Sequence, residues 1–252
     1  MKNKKILILG GTGFIGTFLK NILSTKNSVI TIGTKGNFNY LIGKKAEPYL
    51  SEIIFKSDIV IFCSWDFKAR KKDYITLHLN SVNEIINICE KNKTSFLFVS
   101  TLLANKSSKS LYNKAKFLCE QTTLNQKQSI LKLSVVKSDL QLSGNLYLKL
   151  SKLPSILGYK IMLKPNKKKF IMNDDLEILK FFNSYRFNSI NKFNDQKKEF
   201  VSLTDVLNNF SNSKTKYIFI NWIFAYYLFK ILNIFGLQTR INTDSILSIW
   251  GE

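Results

Sequence analysis

The chain has 252 residues, and 38 Lys and Arg against 17 Asp and Glu give it a formal net charge of +21. Such a charge would suit a nucleic acid, but only three of the basic residues are arginines, Arg70, Arg186 and Arg240. Arginine is the residue that best reads base edges and grips phosphates with paired hydrogen bonds. We therefore expect no specific nucleic-acid partner, and we expect the lysines to attract anionic substrates.

The length and the cysteines narrow the class of protein further. A chain of this length can bury a full core, and we expect one domain with a smaller lobe. Cys63, Cys89 and Cys119 are far apart, odd in number and without CxxC spacing. This pattern favours a reduced, cytoplasmic protein.

The first predicted elements are a strand, a glycine turn and a helix. Ile6–Leu9 is an unbroken apolar run, typical of a parallel strand buried on both faces, and Gly10, Gly13 and Gly16 follow it. Such glycines allow a tight turn, a close approach of a diphosphate to the backbone, and close packing of helix on strand. The N–H groups at the helix start also attract phosphate. Glycine marks ordinary turns too, but in this context the stretch predicts dinucleotide binding.

Strand and helix patterns then alternate, which predicts an α/β fold with a Rossmann-type, doubly wound parallel sheet. Further strands are predicted at Val29–Ile32, Ile59–Phe62, Phe96–Val99 and Ile130–Leu133, and helices at Tyr74–Cys89 and Leu111–Leu124. We assign residues 1–140 to the dinucleotide-binding domain. Residues 141–252 are predicted to form a small, less regular substrate lobe that packs on it, with the option that the lobe returns a strand to the main sheet.

The predicted lobe carries four helix patterns. They lie at Asp174–Asn183, Leu203–Phe210, Tyr217–Phe235 and Asp244–Trp250, with Ser202 and Thr243 as plausible caps. The apolar stretch Tyr217–Leu237 has nearly the length of a membrane span, but Asn221, Lys230 and Asn233 interrupt it. We therefore expect a buried or interfacial helix there, and we keep peripheral membrane association as a minor hypothesis.

Two pairs of residues can carry chemistry. Ser100 and Thr101 end a buried strand, and Tyr112 and Lys116 lie one helical turn apart on one face. A free tyrosine has a pKa of ~10, and a neighbouring ammonium lowers that pKa by favouring the phenolate. Taken alone, the Tyr112 and Lys116 pair would be an ordinary surface pair. With the glycine turn and the strand-end hydroxyls, it predicts general acid–base catalysis.

These motifs resemble those of the extended short-chain dehydrogenase/reductases, the group of NAD-dependent epimerases, dehydratases and nucleotide-sugar reductases. The resemblance rests on the GxxGxxG spacing of Gly10, Gly13 and Gly16, on the Ser100-Thr101 pair, and on the YxxxK motif of Tyr112 and Lys116. Weaker similarities are Glu120, Asn80, Phe170–Leu176 and Thr243–Gly251.

The resemblance implies a role for each of these residues. Tyr112 would be the acid/base, Lys116 would lower its pKa and bind the nicotinamide ribose, and Thr101, in preference to Ser100, would hold the substrate oxygen. The dinucleotide would contact Gly10, Thr12, Gly13, Phe14, Ile15, Gly16, Thr34, Lys35, Cys63, Ser64, Asn80, Tyr112 and Lys116. The implied substrate is a nucleotide-activated sugar, and the implied reaction is reduction of a keto group or epimerisation.

The sequence also departs from the family pattern. The segment between Thr101 and Tyr112 is shorter than in most extended members, and no acidic adenine-binding segment is recognisable between Asn37 and Asp58. Thr34 and Lys35 stand where an NAD enzyme has an acid that binds the ribose. Because a lysine can pair with a 2′-phosphate, this favours NADP over NAD, although a solvated loop lysine is an equal alternative.

Two functional classes follow from this pattern. The leading one is an NAD(P)-dependent oxidoreductase, and the alternative is a dinucleotide-binding sensor or assembly factor that has the fold without the chemistry. His78, the single histidine, has no Cys or carboxylate at ligand spacing, so we expect no metal site. The aromatic residues near Trp222 are expected to form core or a subunit interface, which makes a homodimer possible.

Overall fold

The computed structural model describes residues 1–34, 40–67, 69–136, 155–156, 159–164, 169–187, 189–193, 200–202, 216–234 and 243–250. The first strands are β1 (Lys5–Leu9), β2 (Ser28–Ile32), β3 (Ile59–Phe62), β4 (Ser95–Thr101) and β5 (Ser129–Leu133). The helices between them are α1 (Phe14–Leu23), α2 (Pro48–Phe55), α3 (Tyr74–Lys91) and α4 (Leu111–Asn125). Each strand and helix predicted in this half is present within a few residues. Only the short helix α2, which has a proline at its start, was not predicted.

These strands form one parallel sheet together with a later strand, β10 (Lys192–Phe193), in the order β10-β5-β4-β3-β1-β2. The register aligns Leu7 of β1 with Ile30 of β2 on one side and with Val60 of β3 on the other. The predicted doubly wound parallel sheet is therefore confirmed. Because the chain leaves β1 towards β2 and later returns to β3 on the opposite side, a crevice opens at the carboxyl ends of β1 and β3.

The apolar runs of the strands divide between two cores because successive side chains point to opposite faces of a sheet. Ile6 and Ile8 pack with α1 and with helix α5 (Asp175–Ser184), for example against Phe18 and Phe182. Leu7 and Leu9 face the other side, where α2, α3 and Cys119 of α4 cover the sheet. Burial on both faces explains why the sequence of these strands does not alternate with polar residues.

The rest of the described chain forms two small sheets and two further helices. The strands are β6 (Val135–Val136), β7 (Ser155–Ile156), β8 (Tyr159–Leu163), β9 (Lys169–Asn173), β11 (Phe200–Ser202) and β12 (Lys216–Ile220). They pair in the orders β11-β9-β6 and β12-β8-β7. The helices are α6 (Trp222–Ile234) and α7 (Thr243–Trp250). The division of the chain into two domains stays a prediction.

The predictions for this half were partly wrong. Residues 217–220 belong to β12, which pairs with β8, and the expected helix begins only at Trp222. Ser202 is the last residue of β11, and the predicted helix Leu203–Phe210 lies outside the described residues. The predicted helices at Asp174 and Asp244 are present, the first with a capping box between Asp174 and Glu177. Within the described part of the chain, every helix is too short or too polar to traverse a bilayer.

The turn after β1 generates a prediction that compares two of its glycines. Gly10 has φ +87°, and an added Cβ would lie 2.6 Å from the backbone nitrogen of Ser64. Gly13 has φ −77°, and its added Cβ would meet only the Gly10 carbonyl oxygen, at 3.3 Å. We expect Gly10→Ala to lower the free energy of unfolding by ~2 kcal/mol or more, and Gly13→Ala by less than ~1 kcal/mol. Urea denaturation measures both, and equal losses would contradict this description of the turn.

Candidate active site

A cleft of about 700 Å³ opens at the carboxyl ends of β1, β3, β4 and β5, and it contains most of the predicted site residues. Those that line it are Gly10, Thr12, Gly13, Phe14, Ile15, Gly16, Thr34, Cys63, Ser64, Ser100, Thr101, Tyr112 and Lys116. Asn80 does not line the cleft, because it lies on the exposed side of α3. Lys35 lies outside the described residues.

The glycine turn forms one end of this cleft. The N–H groups of Gly10 and Gly11 donate to the Ile32 carbonyl at 2.7 and 3.1 Å, which ties the turn to the end of β2. Gly16 lies against the Gly10 carbonyl so closely that a Cβ there would overlap it. Helix α1 begins after Gly13, which has no side chain to cap the first N–H groups. The turn therefore presents backbone without side chains to the cleft, and the start of α1 presents its first N–H groups.

Lys116 is the buried charge of the site. Its Nζ donates to the Val99 carbonyl at 2.7 Å and lies 4.0 Å from the centre of the Trp65 ring and 4.7 Å from that of Phe98. Only 5% of the residue is exposed. Burial lowers the pKa of Lys116 to about 8, although the nearby Cys119, Cys63 and Glu120 act in the opposite direction.

The surroundings of Tyr112 act on its pKa in the direction opposite to the effect expected of Lys116, and that effect stays a prediction. Burial raises the pKa of the Tyr112 phenol, and the Lys116 Nζ lies 5.9 Å from the centre of its ring. The Tyr112 ring packs edge-on against Trp65 and is stacked on Phe67, with ring centres 5.5 and 5.6 Å apart. Two apolar rings remove water from the phenol, while the ammonium is directed at the Val99 carbonyl. The phenol is therefore protonated at neutral pH.

The hydroxyls at the end of β4 differ in their partners. The Thr101 Oγ1, which the resemblance favours for catalysis, accepts a hydrogen bond from the Leu103 N–H at 3.3 Å. The Ser100 Oγ is buried, lines the cleft and has no hydrogen-bond partner among the residues that the structure describes. An unpaired buried hydroxyl costs free energy. A hydrogen bond from a polar ligand group would therefore stabilise Ser100 more than Thr101, whose hydroxyl already has a partner.

In the loop after β3, Cys63 and Ser64 were predicted to contact the dinucleotide, but no role was predicted for Trp65 and Phe67. The Trp65 ring is stacked on His78 with ring centres 4.0 Å apart, and its Nε1 donates to the Tyr74 hydroxyl at 2.8 Å. The His78 Nε2 accepts from the Asp66 N–H at 3.1 Å, so its Nδ1 carries the proton and donates to the Tyr74 carbonyl at 2.6 Å. His78 is thus a neutral side chain that holds this loop in place by hydrogen bonding and ring stacking. Its pKa is lowered by burial.

No group of three or more candidate metal ligands occurs among the described residues. The position of Trp65 in the cleft could have been predicted from one feature of the sequence. Trp65 closely follows the predicted strand Ile59–Phe62, and side chains that follow a parallel strand at a switch point line the crevice.

Helix α7 holds the start of α4, which carries Tyr112. The Asp244 carboxylate accepts hydrogen bonds from the Ser110 hydroxyl at 2.8 Å, from the Leu111 N–H at 2.9 Å and from the Tyr112 N–H at 3.2 Å. A carboxylate suits this position because the first N–H groups of a helix lack partners and carry partial positive charge. The resemblance noted at Thr243–Gly251 therefore corresponds to a contact that orients the helix of the site.

The buried ammonium generates a prediction about pH. The folded protein carries Lys116 with a pKa of about 8, below its ordinary 10.5, so the unfolded state binds the additional proton between these values. The folded state therefore gains stability as pH rises through this window. Replacing Lys116 by Met removes this dependence, so the stability of the wild type relative to Lys116→Met should increase by ~2 kcal/mol between pH 7 and 9.5. Urea denaturation of both proteins measures the difference, and a value independent of pH would contradict the burial of the ammonium.

No protein-family model matches the sequence, and neither does any curated protein. Solved structures do match. MoeE5 in complex with UDP-glucose and NAD is 12% identical with a TM-score of 0.65, over 97% of this chain and 96% of that one. The UDP-N-acetylglucosamine 4-epimerase from Bacillus cereus is 14% identical with a TM-score of 0.62, over 98% and 94%. A hypothetical dTDP-4-dehydrorhamnose reductase from Sulfolobus tokodaii is 15% identical with a TM-score of 0.64, over 85% of each chain. This chain accordingly shares the fold of these nucleotide-sugar enzymes, which agrees with the fold that its motifs predicted.

Proposed function

We propose that this protein is an NAD(P)-dependent oxidoreductase that acts on a nucleotide-activated sugar. The observation that supports the proposal most is that Tyr112, Lys116, Ser100 and Thr101 line the same cleft as the glycine turn. One end of that cleft suits a diphosphate and the other carries a phenol, an ammonium and two hydroxyls. Dinucleotide binding and proton transfer thereby occur side by side.

The residues of the glycine turn fit a nicotinamide dinucleotide. The close contacts of Gly10 and Gly16 leave no room for side chains, and the first N–H groups of α1, which follow Gly13, are available to a diphosphate. Thr34 and Tyr40 would line the adenosine end. The related structures in complex with NAD favour NAD, whereas Lys35 favours NADP by pairing with a 2′-phosphate. When bound, the dinucleotide supplies or accepts a hydride.

We assign proton transfer to Tyr112. The Tyr112 phenol lines the cleft together with Ser100 and Thr101, where it would donate a proton to a substrate carbonyl oxygen. The hydroxyl of Ser100 or Thr101 would hold that oxygen by a hydrogen bond. The Lys116 ammonium, fixed by the Val99 carbonyl, would stabilise the phenolate that remains. These roles favour reduction of a keto group over epimerisation or dehydration, in which Tyr112 would have to accept a proton first.

The substrate class rests on the related proteins. Their names include a UDP-N-acetylglucosamine 4-epimerase, an NDP-hexosamine 5,6-dehydratase and a dTDP-4-dehydrorhamnose reductase, all of which act on nucleotide-linked sugars. The basic surface of this chain is compatible with such an anionic substrate.

A second candidate function is a dinucleotide-binding sensor or assembly factor. It is favoured by the state of Lys116, whose ammonium is already bonded to Val99 and covered by the Trp65 ring. To bind a ribose as the resemblance implies, the Lys116 ammonium needs an N–H group that points into the cleft and has no other partner. In this alternative the Trp65 ring excludes the nicotinamide ribose from Lys116. The cleft then binds a dinucleotide, and no hydride is transferred to a substrate.

The test uses Tyr112→Phe with Tyr159→Phe on β8 as the control. NADH and NADPH are titrated in parallel, and oxidation is then followed at the nicotinamide absorbance band with a panel of 4-keto nucleotide sugars. Tyr112→Phe should bind the dinucleotide as the wild type does and lose turnover by ~10²–10⁴-fold, because it lacks the proton donor. Tyr159→Phe should retain full turnover.

Two results would contradict the proposal. Full turnover by Tyr112→Phe would remove the assigned proton donor. Dinucleotide binding by the wild type without turnover of any sugar nucleotide would favour the second candidate function.

A further inference from the structure

The sequence of helix α6 is apolar apart from Lys230 and Asn233, and a helix this apolar is typically buried over most of its surface. Its inner side packs towards α7, and Ala225 there is 4% exposed. Its outer side is open, with Phe224 62% and Tyr227 56% exposed. We define the outer face of α6 as Ile223, Phe224, Tyr227, Leu228 and Ile231, which are all at least 42% exposed. Their spacing of one and four residues makes them one continuous stripe along the helix.

This concentration of exposed apolar side chains is specific to one region. The described residues include 13 large hydrophobic side chains that are exposed, and seven of them lie between Ile218 and Ile231. The others are separated along the chain, as at Ile30 and Phe55. Single exposed apolar residues are ordinary, whereas a contiguous patch marks a surface that binds a partner or a membrane.

The sequence segments that carry α6 and its neighbouring small sheet have charges of one sign. The sequence has no Asp or Glu between Asp205 and Asp244, and none between Asp139 and Asp174. Strand β12, which precedes α6, pairs with β8, and β8 pairs with β7, so all three strands of this small sheet come from these acid-free segments. Lys230 lies exposed on α6 itself. A net charge of +21 opposes contact between two copies of the chain and favours an anionic surface.

We propose that the outer face of α6 binds the surface of anionic phospholipid bilayers. The helix has 13 residues, a length of about 20 Å, which is shorter than the ~30 Å apolar core of a bilayer. It therefore lies in the membrane plane, with its apolar stripe at the boundary of headgroups and acyl chains. Aromatic side chains such as Phe224 and Tyr227 suit that boundary, and the lysines contact the anionic headgroups.

The experiment is sedimentation with vesicles of phosphatidylcholine alone or mixed with phosphatidylglycerol, at low and at high salt. The variant Phe224→Ser with Leu228→Ser removes apolar area without changing charge, and Phe55→Ser on α2 is the control because Phe55 is 67% exposed elsewhere. We expect the wild type and Phe55→Ser to sediment with the mixed vesicles at low salt and less at high salt. The α6 variant should lose affinity by tenfold or more.

Three results would overturn the proposal. Absence of the wild type and of Phe55→Ser from the pellet with mixed vesicles at low salt would show that the protein does not bind them. Equal sedimentation of the α6 variant and the wild type would assign binding to the lysines in general. A molecular mass that doubles with protein concentration, and returns to that of the monomer in the α6 variant, would identify a second copy as the partner. Unchanged thermal unfolding of the variant verifies that it is folded.

Discussion

The burial of one ammonium, that of Lys116, is the constraint on which the candidate site depends. A buried cation is costly unless hydrogen bonds and neighbouring electron density compensate it. The Val99 carbonyl at the end of β4 and the faces of Trp65 and Phe98 supply that compensation. The ammonium thus joins three parts of the fold, namely the sheet, the loop after β3 and helix α4. Displacing any one of them would leave an unpaired charge in the interior.

Two long-range contacts hold these parts in place. His78 on α3 is stacked on Trp65 and bonded to the Asp66 backbone, so the loop after β3 is fixed from the side opposite Lys116. Asp244 on α7 binds the start of α4 at three points, one of them the Tyr112 N–H. The phenol and the ammonium therefore depend on residues distant from them in sequence. The same α7 also contacts α6, so the proposed membrane contact is one helix away from the cleft.

The first half of the fold could be predicted because its local signals agree with one another. Buried strands such as Ile6–Leu9, the glycine turn and the amphipathic helices each suffice to define an element, and right-handed crossovers then define the sheet. The second half gives weaker signals. Its strands have two to five residues, and residues 217–235 are apolar without a period, so the change from β12 to α6 at Asn221 is not visible in the sequence.

The sequence was sufficient to predict many of the residues that line the cleft, but not the direction in which the pKa of Tyr112 is shifted. Spacing alone brought Tyr112 and Lys116 to one helix face beside the hydroxyls of β4. The direction of the Tyr112 pKa depends on Trp65 and Phe67, whose contacts with Tyr112 arise only from the tertiary fold. Asn80 does not line the cleft for a similar reason, since α3 directs His78 towards the loop after β3 and leaves Asn80 exposed.

The most direct measurement of the account is an NMR titration of the Lys116 side chain, identified by its absence in Lys116→Met, with and without NADH or NADPH. We expect a pKa of about 8 in the free protein. We expect either dinucleotide to raise this pKa, because its phosphates bring negative charge into the same cleft. An ordinary lysine pKa in the free protein, or a value that neither dinucleotide changes, would contradict the account.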